Sequence, residues 1–84
     1  MNSNLLLEVN FLKFTATELM VPFEKISFKT KFRQISTWSS LNALIYISRI
    51  NEETNVLISA NDLVESETIS DIYQLILKRF NGAN

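Results

Sequence analysis

Punctuation is what this sequence lacks. One glycine (Gly82) and one proline (Pro22) stand in 84 residues. Sheet proteins need turn residues about every 8–12 positions. The chain is therefore directed towards helices joined by few connections. Its apolar fraction, 46%, is enough for a packed core and too high for a disordered chain. A chain of this length buries only about 60–65% of its unfolded surface, so that core has little to spare. A single domain spanning residues 1–84 is expected.

Apolar spacing places the helices. Over residues 4–20, Leu5, Val9, Leu12, Ala16 and Leu19 form one stripe and Leu7, Phe11 and Phe14 a second face. Pro22 closes this helix, because proline disfavours helical geometry at Val21 and has no amide to donate. A second helix is expected over 40–54 with Ser39 as its N-cap. Leu44, Ile47 and Ile50 face one way, and Asn42, Arg49, Glu52 and Glu53 another. Ile45 sits among the polar residues, with Tyr46 at the margin. Ile45 either packs under a neighbouring element or is exposed for a partner.

Residues 61–65 make a short third helix carrying Leu63. Thr68 and Asp71 then resemble a capping box, with Asp in place of Glu. Behind it, Ile69, Ile72, Tyr73, Ile76 and Phe80 form the last stripe, Lys78 and Arg79 suit its C-terminal end, and Gly82 stops it.

Residues 23–37 are ambiguous. Ile26, Phe28, Thr30 and Phe32 alternate with Ser27, Lys29 and Lys31 as in a half-buried strand. A lone strand is unstable in water, and Val56-Leu57-Ile58 is the only other short β-like run. A long loop pinned by its alternate apolar residues is therefore expected. The sum is an all-α fold: a small four-helix bundle of three main helices and a short third, with a long first loop.

Residue types exclude much chemistry. Without Cys or His there are no disulfides, thiolate metal sites, or Cys- and His-dependent nucleophiles. A net charge of −1 gives no nucleic-acid footprint. Residues 1–40 hold five basic and three acidic side chains (+2), and residues 41–84 three and six (−3), so the second half suits partners with basic surfaces. Glu8 and Asn10 interrupt the first apolar run and no basic residue precedes it, so no signal peptide is expected. No apolar run approaches 18 residues, so no membrane span is expected and the protein is read as cytoplasmic.

Glu52 and Glu53 are neighbours, about 100° apart on a helix, and cannot act as a pair. Asp62, Glu65 and Glu67 lack the glycine hinge of a calcium loop, and no metal site is expected. Trp38 and the phenylalanines read as core. No catalytic residue emerges; the residues alone describe a helical interaction domain. One place admits covalent chemistry. Ser40 is the expected first residue of the second helix, where free amides and the helix dipole favour a phosphate ester.

The arrangement around that serine is familiar. From about Ile26 to Phe80 the chain resembles the acyl carrier protein family, in the branch whose serine lies in a Trp-Asp-Ser-Leu motif. The residues that carry this are Phe32, Trp38-Ser39-Ser40-Leu41, Leu44, Ile47, Ile50, Glu52-Glu53, Val56, Ile58, Asp62-Leu63, Thr68-Ile69, Asp71-Ile72 and Ile76.

The resemblance implies a monomeric carrier whose Ser40 receives 4′-phosphopantetheine from coenzyme A through a phosphopantetheinyl transferase. The arm's thiol would hold acyl groups as thioesters for acyl-activating or acyl-transferring enzymes. A specialised lipid or secondary-metabolite pathway, in fatty acid or polyketide biosynthesis, is implied. Leu41, Asn42, Ile45 and Tyr46 would meet partner enzymes, and a core of Leu44, Ile47, Ile50, Ile58 and Ile72 would part to shelter the chain.

The chain departs from the family pattern in three ways. Ser39 replaces the Asp, keeping the cap but losing a charge worth roughly 0.3–1 kcal/mol at the helix dipole. Asn42 and Ile45 stand where carboxylates are common, so partners should rely more on apolar contact. Thr54 replaces a core aromatic and is expected to loosen the end of the second helix. The alternative is a carrier-like helical protein interaction module that is never modified.

Overall fold

In the computed structural model, residues 3–82 are described. Four α-helices carry the fold: α1 (Glu8–Glu18), α2 (Ser40–Thr54), α3 (Ala60–Val64) and α4 (Ile69–Gly82). No strand occurs among the described residues; an isolated bridge joins Lys31 to Thr68. The expected all-α bundle with a long first loop is what forms.

α1 starts later than its apolar spacing suggests. Ser3–Leu6 make a 3-10 turn, and Leu7 is extended (φ −74°, ψ 135°) before the helix begins. The break is held from both sides: Asn10 Nδ2 donates to the Asn4 carbonyl at 3.0 Å, and the Tyr73 hydroxyl donates to the carbonyl of Leu6. Leu5 is thereby buried through the turn. Leu7 and Val9 are more than half exposed, out of the stripe expected for them. The buried line of α1 is Phe11, Thr15, Ala16 and Leu19.

α1 ends before Pro22 can act. Met20 adopts a left-handed conformation (φ 58°), its amide donates to Thr17, and the amide of Val21 donates to Ala16 at 2.9 Å. This is the Schellman pattern, usually built on glycine because a Cβ is disfavoured there. Met20 is 66% exposed, so little packing would go with its side chain. Met20→Gly is expected to raise stability by about 0.5–1 kcal/mol in urea denaturation; a loss would show that the methionine packs usefully.

The loop over 23–37 behaves as its alternation implies. Ile26 and Phe32 are buried and Phe28 and Thr30 half-buried, while Ser27, Lys29 and Lys31 face water. The amides of Ile69 and Ser70 donate to the carbonyls of Thr30 and Phe28 at 3.1 and 2.9 Å. The loop thus supplies acceptors for α4's first turn, which has none of its own. Phe11, Phe28 and Tyr73 cluster with centroids 4.9–6.4 Å apart. Phe32, fully buried, meets Trp38 at 4.7 Å.

In α2 the inward line differs from the expected one. Tyr46, Ile50 and Thr54, four residues apart, are fully buried, and Ala43 and Ile47 flank them. Leu44 is 58% exposed. The Tyr46 hydroxyl lies 2.7 Å from that of Thr15 on α1, which settles which way the helix faces. Tyr46 is therefore core, not a partner contact. Thr54, expected to loosen the helix end, is fully buried there with its hydroxyl satisfied. Its hydroxyl donates to the Ile50 carbonyl at 2.7 Å and accepts the Val56 amide at 3.1 Å, so its buried oxygen is used twice. Asn55 then turns the chain through a left-handed conformation (φ 63°), which asparagine tolerates.

α3 is five residues long and depends on its ends. Ser59 and Asp62 form a capping box, with amide contacts of 3.0 and 2.8 Å. Asp62 also takes a two-pronged bond from Arg79 on α4 (2.6 and 3.0 Å), and Arg79 donates to the Leu57 carbonyl at 2.9 Å. At the other end, Arg33 Nη1 donates to the Leu63 carbonyl at 2.7 Å. The Thr68–Asp71 box forms as expected and takes in the Glu67 amide too. The end of α4 beyond Gly82 lies outside the described residues.

Asp62 lies well below the usual carboxylate range, because Arg79 and the Ser59 amide both favour its ionised form. A lowered native pKa contributes stability above the unfolded value of about 3.9 and loses it as pH falls through the folded one. Arg79 is 40% exposed, so water screens the pair and its worth is modest. Asp62→Asn is therefore expected to lower the urea midpoint above pH ~5, with the gap to wild type closing as pH falls below ~4. A gap independent of pH would assign the loss to packing instead.

Candidate functional site

The segment before α2 is fixed at several points. The Thr37 hydroxyl donates to the carbonyl of Leu19 at the end of α1. The Trp38 amide donates to Ile35 at 2.9 Å, and its ring tilts against Phe32. Asn42 Nδ2 reaches back to the Thr37 carbonyl at 2.6 Å. Ser39 is extended (φ −152°, ψ 168°), and its hydroxyl accepts the Asn42 amide at 3.1 Å while its carbonyl accepts that of Ala43. The expected N-cap is present, with serine doing an aspartate's capping geometry without its charge.

Ser40 follows as the first helical residue, and it is exposed. The amides of Ser40 and Leu41 have no acceptor within the helix, as is true of any helix start. A phosphoryl group on the Ser40 hydroxyl would meet those donors and the positive end of a 15-residue helix. Ser39, by contrast, is engaged as the cap.

Beside Ser40 opens a groove of about 550 Å³ between α2 and α3. Trp38, Ala43, Leu44 and Ile47 form one wall, and Ala60, Leu63 and Val64 the other. Ser39 and Ser40 stand at the lining, with Arg33. Its volume falls within the range of small-molecule sites, and the walls are mostly apolar. The structure brings Leu44 and Ile47 here from the set expected to shelter an acyl chain. Ile50, Ile58 and Ile72 lie in the closed core instead.

The expected partner face divides in the same way. Leu41 and Ile45 are exposed, at 66% and 46%. Val64 on α3, 70% exposed, adds an apolar side chain at the groove that the spacing of α3 does not signal. Asn42 is half-buried, with both its amide and its side chain committed to the cap and the loop. Tyr46 is inaccessible. Arg33 was also missed, since nothing in a basic loop residue beside Phe32 signals a groove. Among the described residues no cluster of His, Cys, Asp or Glu could hold a metal ion, and Asp62 spends its carboxylate on Arg79 and Ser59.

The family described as "Phosphopantetheine attachment site" matches residues 13–76. No curated protein matches the sequence. The chain belongs to the phosphopantetheine attachment-site family, in keeping with the likeness to acyl carrier proteins. Domains of this family are where 4′-phosphopantetheine is covalently attached; they carry groups and do not catalyse. They work with transferases and acyl-handling enzymes. No helix among the described residues is long and apolar enough to cross a membrane.

Proposed function

We propose that Ser40 is the attachment residue and that residues 1–84 act as one acyl carrier domain, monomeric and cytoplasmic, serving a specialised lipid or secondary-metabolite pathway. The observation that carries this is the placement of an exposed serine hydroxyl at the first residue of a capped helix, on the lining of an apolar groove. When attached, the arm supplies a thiol that holds acyl groups as thioesters. This chain's part is to present the hydroxyl, to favour the phosphodiester with the free amides of Ser40 and Leu41, and to keep the attachment rigid through Ser39, Asn42 and Trp38.

Co-expression with a promiscuous phosphopantetheinyl transferase, followed by intact-mass measurement, tests the reading. A gain of one phosphopantetheine supports it. No gain with several transferases would leave an unmodified interaction module instead.

Partner enzymes are expected to meet the apolar surface of Leu41, Ile45 and Val64, because Ile45 stands where a charge would otherwise steer them. Ile45→Asp should slow transferase loading or partner acylation by tenfold or more (on the order of 1.4 kcal/mol) without unfolding an exposed site. An unchanged rate would move the contact elsewhere.

A further inference from the structure

The groove beside Ser40 has one charged side chain in its lining, Arg33. It is a fixed charge. The guanidinium lies 5.1 Å from the ring centre of Phe32, which is itself fully buried and braced by Trp38. Its Nη1 is tied to the Leu63 carbonyl on the α3 wall. That uses one of the five N–H donors an arginine has. Among the described residues no carboxylate pairs with it and it makes no other protein hydrogen bond, so on this exposed side chain the remaining donors face water.

Such a group makes the groove discriminating. A plain alkyl chain laid against Arg33 would displace water from the remaining donors and return no hydrogen bond, which is costly for a cation. A chain bearing a keto or carboxylate oxygen would replace that water with a charge-assisted bond, and guanidinium geometry suits a carboxylate in particular. The arm's own phosphodiester is the less suitable acceptor. It would sit on Ser40 at the start of α2, where free amides and the helix dipole already serve it.

We propose that Arg33 selects the cargo: the groove favours acyl chains carrying an accepting oxygen, keto or carboxylate, over alkyl chains of equal length. This rests on Ser40 being the attachment point.

The test avoids both transferase and phosphate. Since the chain has no cysteine, Ser40→Cys supplies a single thiol for haloacetamides bearing a pantetheine-like arm without phosphate. The arms end in octanoyl, β-keto-octanoyl or suberyl groups. Thermal midpoints are compared between cargoes, first with Arg33 present and then with Arg33→Met added. Any loosening of α3 in the second protein affects all cargoes and cancels in the comparison.

With Arg33 present, at least one oxygenated form should melt about 4–8 °C above the octanoyl form, and the Arg33 Nε–H resonance should shift with that cargo only. With Arg33→Met the advantage should vanish or reverse. If the octanoyl form melts at or above both others, or if the advantage survives Arg33→Met, the proposal is overturned. Because loading is chemical, failure of transferases to modify Ser40 would count against the attachment reading and leave this result legible.

Discussion

Ser40→Ala is expected to abolish the phosphopantetheine mass gain completely while leaving the fold as it is. The serine is exposed, and alanine is a good residue for a first helical turn, so its stability should stay within about 0.5 kcal/mol of wild type. The neighbouring hydroxyl makes the experiment specific. Ser39 lies one residue away, but its oxygen accepts the Asn42 amide and holds the start of α2. If mass were still gained in Ser40→Ala and lost in Ser39→Ala, the attachment point would have to be moved. Ser39→Asp completes the set. It keeps the cap and adds a negative charge at the positive end of the helix, worth about 0.3–1 kcal/mol. It should load faster than wild type if the family's carboxylate serves the transferase, and at the same rate if it serves only the helix.

Tyr46→Ala is expected to cost about 3–5 kcal/mol. A domain of this size has only about 4–13 kcal/mol in total, so a quarter of its stability or more would go. Tyr46 is the largest fully buried side chain, stacked at 5.9 Å on Phe14 and joined to Thr15 through the two hydroxyls. Burial pushes its phenol well above the ordinary tyrosine range, so the neutral hydroxyl is the form that serves the core.

Tyr46→Phe separates ring from hydroxyl. It leaves the Thr15 oxygen buried without the partner it has here, for a cost of about 1–3 kcal/mol. Adding Thr15→Val to Tyr46→Phe should recover much of that loss, because both polar groups are then gone. Denaturant midpoints of wild type, Tyr46→Phe, Thr15→Val and the double variant give the coupling. A double variant no better than Tyr46→Phe would mean that Thr15 is satisfied elsewhere.

These two residues mark where sequence is informative and where it is not. The start of α2 could be read because a cap is local: Ser39, Asn42 and the break from irregular to helical spacing lie within four residues. The Thr68–Asp71 box was legible for the same reason. The facing of α2 was not. Leu44 is as apolar as any core residue, and only the reach of Tyr46 to Thr15, 31 residues away, turns the helix so that Leu44 is exposed. The late start of α1 has the same origin, since Tyr73 holds the carbonyl of Leu6 from the far end of the chain. The place of Thr54 does not follow from residue type, because its hydroxyl's two backbone partners are set by the fold. The groove is a property of two helices and a loop, so no single stretch announces it.

The short helix that walls the groove is pinned at two corners by arginines from elsewhere in the chain, Arg79 at its capping box and Arg33 at its Leu63 carbonyl. Five residues cannot sustain a helix unaided. The wall therefore belongs as much to those two side chains as to its own sequence. A lineage could reshape the groove by drift at either arginine, with Ser40 and the exposed face of α2 left untouched.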